Sequence, residues 1–392
     1  MYFELNSEQQ QIIQTADKLS KQFGPDYWYE KEENQEFPRE FFDAAGQAGF
    51  FGFGIPEEYG GSGTGLTEQV LAFEALARGG GGLAPIACFL FGLLFGASSL
   101  LKFGSEEQKK KNLPRIVSGE IITCLGLTEP NAGTDTLNIS TFARKEGDEY
   151  LITGQKIFIS LFGEAQKMLL VTRTTKRDES LKKAYGISLF LVDLPNDAIQ
   201  YTAIPKHGCN CYKTYELGID NLRVSQECLL GEEGKGWYQL LEVLNPERIY
   251  GAVAAMGIGK LAIREAVEYA NQRKVFDKFI GANQGIQFPL ASAYAKLECA
   301  WLMTLNAAAL YDRGEAPKKV GDATSMAKYA AVEAGIEAVY HAMQTLGGYG
   351  YAREYHIERW WREIQLLRLA PITQQMTLNY IGKAILGLPK SY

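Results

Sequence analysis

Apolar positions along the chain change their period twice. From Ser7 to about Gly119 they recur at helical spacing. Ser7 is suited to cap a helix starting at Glu8, and Ile12, Ile13, Ala16, Leu19 and Phe23 then fall on one face of a 3.6-residue period. The stretch Ile55-Pro-Glu-Glu-Tyr-Gly-Gly-Ser-Gly interrupts that region and reads as a loop. From about Ile121 to Gly236 the pattern becomes short alternating runs at 150–160, 167–174, 186–194, 199–205 and 214–224, rich in Ile, Val, Thr, Tyr and Phe. No helical pattern separates these runs, which predicts a small all-β domain and not a doubly wound parallel sheet. From Trp237 onward long Ala-rich helical patterns return at 249–273, 284–313, 322–346 and 359–386. Their short connections predict an antiparallel bundle of four or five helices. The chain thus divides into an all-α region over 1–120, a β region over 121–236 and a helical bundle over 237–392.

Residues 79–101, GGGGLAPIACFLFGLLFGASSLL, carry no charge and are long enough to cross a bilayer. Pro85, Gly92 and Gly96 interrupt the run, and Ser98 and Ser99 add polarity. A helix wrapped on all sides by protein is apolar all round too, and the rest of the chain is mixed in character, so a core helix is expected here and no membrane partner. The chain opens directly on an amphipathic helix, without a basic-then-apolar leader, and a cytoplasmic protein is expected.

Charge narrows the partners. Forty Lys and Arg against 46 Asp and Glu leave a net charge of −6, which disfavours a nucleic-acid partner because a phosphate backbone wants a basic surface. The six cysteines are scattered; Cys209 and Cys211 form a lone C-x-C with no second pair, read as reduced thiols and not as a zinc site. With three histidines and no clustered ligands, no metal is expected.

Among catalytic motifs, GxGxxG, the P-loop, HExxH and GxSxG are all missing, which argues against direct nicotinamide binding. Three other segments stand out. Gly126-Leu-Thr-Glu-Pro-Asn-Ala-Gly-Thr-Asp135 offers hydroxyls and exposed backbone N–H groups to a ring rich in acceptors. Gln155-Lys-Ile-Phe-Ile-Ser160 ends an alternating strand and puts Phe158 and Ser160 on one side of a sheet. Gln344-Thr-Leu-Gly-Gly-Tyr-Gly350 ends a helix and lets backbone approach a ligand. Arg273, after a helical run, is placed to ion-pair with a pyrophosphate. Singly, each segment reads as a turn or a helix cap.

Together, in this order, they resemble the acyl-CoA dehydrogenase family over essentially the whole chain. The matching stretches are 55–61, IPEEYGG; 103–120, FGSEEQKKKNLPRIVSGE; 126–135, the first family signature, with a departure at Asn138 where a small residue is usual; 219–236, IDNLRVSQECLLGEEGKG; and 344–363, the second signature, including Glu354, Arg359 and Glu363. The resemblance implies an α+β fold with an N-terminal helical domain, a middle β-barrel-like domain and a C-terminal four-helix bundle. It also implies FAD, a homotetramer, an acyl-CoA substrate and electron transfer to an electron-transferring flavoprotein.

By the same resemblance the flavin ring lies against Leu125, Leu127, Thr128, Gly133 and Thr134, and against Phe158 and Ser160, where Phe158 replaces a common Trp. The adenine dinucleotide end is held across a subunit contact by the positions matching Arg273, Phe276, Gln284, Gln344, Gly347 and Gly348. Thr373 and Gln375 match two further cofactor contacts. Thr134, Asn245 and Arg248 match substrate contacts, with Asn245 in place of a usual Asp.

The chemistry needs a base for a weakly acidic α-proton, and a carboxylate in a dry pocket suits it. Many family members carry that Glu in a Tyr-Glu-Gly-Thr segment near the C-terminus. Here Ala370-Pro-Ile-Thr373 stands there and holds no carboxylate. Long-chain and isovaleryl-type members use a Glu before an Arg on the first bundle helix, and Leu244-Asn-Pro-Glu247-Arg248 supplies one. The competing reading of Glu247 is a first-turn carboxylate favoured by the helix dipole after Pro246. Pro371 also lacks the backbone N–H with which the family polarises the thioester carbonyl. Alternatives are an enoyl-CoA reductase, a dehydrogenase of carrier-protein thioesters, a flavin monooxygenase of the same fold and a non-catalytic scaffold.

Overall fold

A computed structural model describes residues 4–178 and 180–390. The first helix, α1 (Ser7–Gln22), is capped by Asn6 and not by Ser7. The Asn6 side chain accepts from the Gln9 N–H at 2.8 Å, and Gln9 Oε1 accepts from the Asn6 N–H at 3.2 Å. This reciprocal box satisfies two N–H groups at once, so Ser7 becomes the first helical residue. Helices α2 (Pro25–Asn34), α3 (Arg39–Gln47) and α4 (Leu66–Leu76) follow, and the 55–63 loop holds only a short 3-10 turn, Glu57–Tyr59.

The charge-free run forms α5 (Ala84–Phe89), widens into π-type turns over Leu90–Ser98 and closes as α6 (Ser99–Phe103). It is long and apolar enough to cross a membrane, yet most of its most apolar window is buried inside the fold. Gly96 marks how tightly it is held: a Cβ there would sit 2.7 Å from Thr123 Cγ2 and 3.3 Å from Ile116 Cδ1. Gly96→Leu is therefore expected to destabilise by ~1–3 kcal/mol through overpacking, read as a lowered thermal midpoint. Helix α7 (Glu106–Val117) ends this region.

Eight strands follow: β1 (Thr123–Gly126), β2 (Phe142–Glu146), β3 (Glu149–Ser160), β4 (Lys167–Arg173), β5 (Ile187–Asp193), β6 (Ile199–Ala203), β7 (Thr214–Ser225) and β8 (Leu229–Leu230). They form one mixed sheet in the order β6-β7-β3-β2-β4-β5-β8, with β1 beside β4 in parallel. β4 is buried along its whole length, as a central strand covered on both faces should be. The long β3–β7 ladder carries two irregularities, one of them between Lys156 and Ile159.

The bundle opens with α8 (Gly236–Gln272), which starts well before the expected 249 and contains Pro246. A two-stranded turn, β9 (Lys274–Val275) and β10 (Lys278–Phe279), leads to α9 (Gln284–Asp312) and α10 (Pro317–Leu346). Short α11 (Gly348–Tyr351) precedes α12 (Ile357–Leu369) and α13 (Gln374–Tyr380). The single helix expected over 359–386 is thus two, broken at 370–373, where Pro371 offers no N–H to continue the ladder.

Candidate active site

Glu247 lies in the interior of α8, not in a first turn, so no helix-terminal dipole explains it. Among the described residues no donor reaches its carboxyl group. Its neighbour Arg248 turns away, donating to Asn245 Oδ1 and Ser325 Oγ at 3.3 Å each. Glu247 keeps some accessible surface but is otherwise enclosed by protein, and this desolvation pushes its pKa up from 4.5 to about 8 against the opposing charge of Arg248. An unpaired carboxyl of that strength is the kind of group proton abstraction requires.

Pro371 belongs to the same place. A Cβ built on Gly251, one helical turn beyond Glu247, would lie 3.8 Å from Pro371 Cδ. The 370–373 connection is pinned from α10: buried Lys328 donates to Ile372 O and Gln374 Oε1 at 2.9 Å each, and Gln374 Nε2 donates to Glu333 Oε1 at 2.9 Å. On the other side of Asn245, a Cβ on Gly321 would meet Tyr380 OH at 3.6 Å and Asn245 Oδ1 at 3.8 Å. The structure therefore gathers Asn245, Glu247, Arg248 and Pro371 around one stretch of α8, with Thr373 capping α13 beside them through its hydroxyl.

The expected flavin-facing residues collect on the β domain. Leu125, Leu127 and Thr128 are half-buried at the end of β1, and Gly133 and Thr134 are exposed. Phe158 is 61% exposed and has a positive φ of 59° at the β3 irregularity, while Ile159 turns inward and Ser160 Oγ lies 2.8 Å from Thr214 Oγ1. Exposed Phe158 and half-buried Ser160 thus flank the buried Ile159 along the strand. Ile157 N–H donates to Thr128 O at 2.8 Å and ties this segment to 126–135.

A second group meets at the far end of the bundle. Arg273, Phe276, Gly347 and Gly348 line a cavity of about 770 Å³, together with Tyr349 and Glu354. Phe276 and Asp277 both have positive φ, the geometry of a tight primed turn, and this holds Phe276 out 98% exposed. Gly347, at φ 60°, ends α10, and no atom lies within 4 Å of where its Cβ would be. Gln284 and Gln344 are exposed next to this cavity, whereas Gln375 lies exposed on α13. None of the β-domain group lines this cavity.

Among the buried cations that sequence reasoning missed are Lys156 and Lys328. Lys156 had a visible signal: it follows Tyr150 and Ile152 at the inward positions of β3, where a cation must find a buried partner. Asn138, the departure in the first signature, accepts from Arg177 at the wall of a cavity of about 510 Å³. Cys209 and Cys211 are buried free thiols, and burial pushes both pKa values up, so they are inert; no group of metal-ligating residues occurs among the described residues.

The comparisons with known proteins follow the same division. Residues 6–120 match the acyl-CoA dehydrogenase N-terminal domain, 124–222 the middle domain and 234–386 the C-terminal domain. The chain is 37% identical over 389 residues to acyl-CoA dehydrogenase FadE12 of Mycobacterium tuberculosis, covering 99% of this chain and 98% of the relative. It is 34% identical over 389 residues to the caffeyl-CoA reductase-Etf complex subunit CarC of Acetobacterium woodii, covering 98% and 100%. The structure of butyryl-CoA dehydrogenase from Megasphaera elsdenii superposes with a TM-score of 0.92 at 31% identity, covering 98% of this chain and 100% of that one. With all three domains matched in order on a shared fold, this chain belongs to the acyl-CoA dehydrogenase family of oxidoreductases.

Proposed function

We propose that this protein is an FAD-dependent acyl-CoA dehydrogenase that forms a 2-enoyl thioester, with Glu247 as the base. The observation that carries the reading is the unpaired, desolvated Glu247 carboxyl, held beside a 370–373 connection that lacks any carboxylate of its own. The chemistry of these surfaces fits the cofactor. Leu127, Thr128, Phe158 and Ser160 would take the ring, Arg273 and the open backbone at Gly347 and Gly348 the dinucleotide end, and Thr373 and Gln375 further contacts. When bound, FAD supplies the two-electron acceptor for the β-hydride.

Glu247 takes the α-proton into its carboxylate as the β-hydride departs, so two hydrogens leave adjacent carbons and a C=C bond forms. Arg248, Asn245 and Thr134 hold the polar thioester arm. Pro371 has no N–H for the thioester oxygen, and the next backbone donor, the Ile372 N–H, has no protein acceptor among the described residues. A homotetramer that joins the two groups across subunits completes the reading, which is supported by the absence of β-domain residues from the lining of the Arg273 cavity. We place this assembly in the cytoplasm, passing electrons to an electron-transferring flavoprotein, as a relative named with an Etf complex supports.

A second reading, the enoyl-CoA reductase, has specific support: a carboxyl with a pKa of about 8 is mostly protonated at neutral pH and can return a proton to the α-carbon. Turnover with acyl-CoA and an artificial acceptor dye, compared with oxygen alone, tests the proposal. Dye-dependent enoyl formation with little oxygen use is expected, and oxygen-dependent hydroxylation would replace the dehydrogenase with a monooxygenase. Arg273→Ala is expected to fold but to lose at least tenfold in FAD affinity, measured by flavin content after dialysis. Full retention would remove Arg273 from the cofactor site.

A further inference from the structure

Lys156 is wholly buried, an expensive position for an ammonium group. Its Nζ donates to two acceptors, Leu127 O and Glu129 Oε1, each at 2.9 Å. Glu129 is itself saturated: Ser140 N–H and Oγ donate to Oε2 at 2.6 and 2.8 Å, and Thr141 N–H donates to Oε1 at 3.0 Å. Lys156 thus compensates the carboxylate and still places its charge against the carbonyl of the Leu127–Thr128 peptide. That peptide's N–H, on Thr128, donates to no protein acceptor among the described residues. The next peptide carbonyl, Thr128 O, is fixed by Ile157 N–H, so both of its neighbours on β3 grip this one segment.

We propose that Lys156 is a positioning residue that sets the electron affinity of the bound flavin through the Leu127–Thr128 peptide; this rests on the placement of the flavin ring against that segment. A cation on a peptide carbonyl polarises the whole unit, and hydrogen bonds in series strengthen one another by roughly 10–30% per bond. The Thr128 N–H is thereby a stronger donor toward negative charge gathering on a reduced ring. Reduction becomes easier, and it does so without any charged side chain entering the site. Glu129 keeps Lys156 protonated in the interior: burial lowers the lysine pKa to about 8, and the ion pair holds Glu129 down at about 2.

The test uses FAD-loaded protein and the equilibrium midpoint potential of its flavin, measured with reference dyes. Lys156→Met with Glu129→Gln removes both charges and leaves no orphaned ion, and Lys156→Gln keeps a neutral donor to Leu127 O. Both are expected to lower the ratio of reduced to oxidised flavin at fixed potential by about tenfold, ~30 mV for a two-electron couple. Lys156→Arg, which keeps charge and donors, is expected to restore most of that ratio. Wild-type potentials in the neutral variants overturn the proposal. Loss of FAD from every variant, the arginine one included, overturns it as well, because shape and not charge would then be what Lys156 supplies. Wild-type protein that binds no FAD would instead sink the cofactor reading itself, which separates the two failures.

Discussion

Glu247→Gln is expected to slow reduction of the flavin by acyl-CoA by ~10²–10⁴-fold while leaving FAD and acyl-CoA binding in place. The amide keeps the size and removes the proton acceptor. No other carboxylate stands on the 370–373 connection to replace it, because Pro371 occupies that position. The pH dependence follows from the same desolvation. With the pKa raised to about 8, the reductive rate should climb with pH through that value in wild-type protein and lose that limb in the variant. Stability runs the other way. The folded state binds this proton more tightly than the unfolded chain, so this residue's contribution falls as pH rises from the unfolded value of 4.5 to about 8. Glu247→Gln should remove that slope, measured by thermal unfolding across the window. Wild-type bleaching rates in this variant would end the assignment of Glu247 as the base.

The largest effect on folding is expected at Glu363. Glu363 and Arg359 on α12 form an ion pair at 2.7 Å, both side chains 1% exposed. Glu363 Oε2 also accepts from the Leu83 N–H at 3.1 Å, and Arg359 Nη2 donates to Gly80 O at 3.1 Å. The pair therefore ties the second signature to the turn that starts the charge-free run of the N-terminal domain. Glu363→Ala leaves Arg359 charged and unpaired in the interior, at a cost of ~3–5 kcal/mol. That is a large share of a stability on the order of 5–15 kcal/mol, so a thermal midpoint lower by roughly 10 °C or loss of soluble protein is expected. Replacing both partners, Arg359→Met with Glu363→Leu, should cost clearly less, because no charge is orphaned. Equal losses in the two proteins would mean that the lost packing, not the unpaired charge, sets the cost.

The three-part order and most strand positions were legible because long amphipathic helices and alternating strands leave strong periods. What escaped was short or interrupted. β1 spans four residues, too few for a period to register, and β2 runs through Arg144, Lys145 and Glu146 with no alternation. α8 begins at Gly236, but its first turns mix exposed and buried residues around Pro246 and blur the apolar face. Pro371 was noticed for its missing N–H, yet the same absence also splits the last long helix. Ser7 lost the cap to Asn6 because a reciprocal pair with Gln9 outcompetes a single hydroxyl. Of the candidate site, Glu247 and the segments expected to face a flavin could be named through the family resemblance, whereas Lys328 could not, since its partners Ile372 and Gln374 lie more than forty residues away and are met only through folding.

The most direct test of the account is anaerobic mixing of the purified, FAD-loaded protein with a panel of straight, branched and aromatic acyl-CoAs, following flavin absorbance and product mass together. At least one acyl-CoA is expected to bleach the flavin and yield a product lighter by two hydrogens, at a rate that rises with pH through about 8. A flavin that stays oxidised with every saturated thioester, yet is reoxidised from its reduced form by the matching enoyl-CoAs, would make the protein a reductase. A flavin indifferent to both classes would contradict the account.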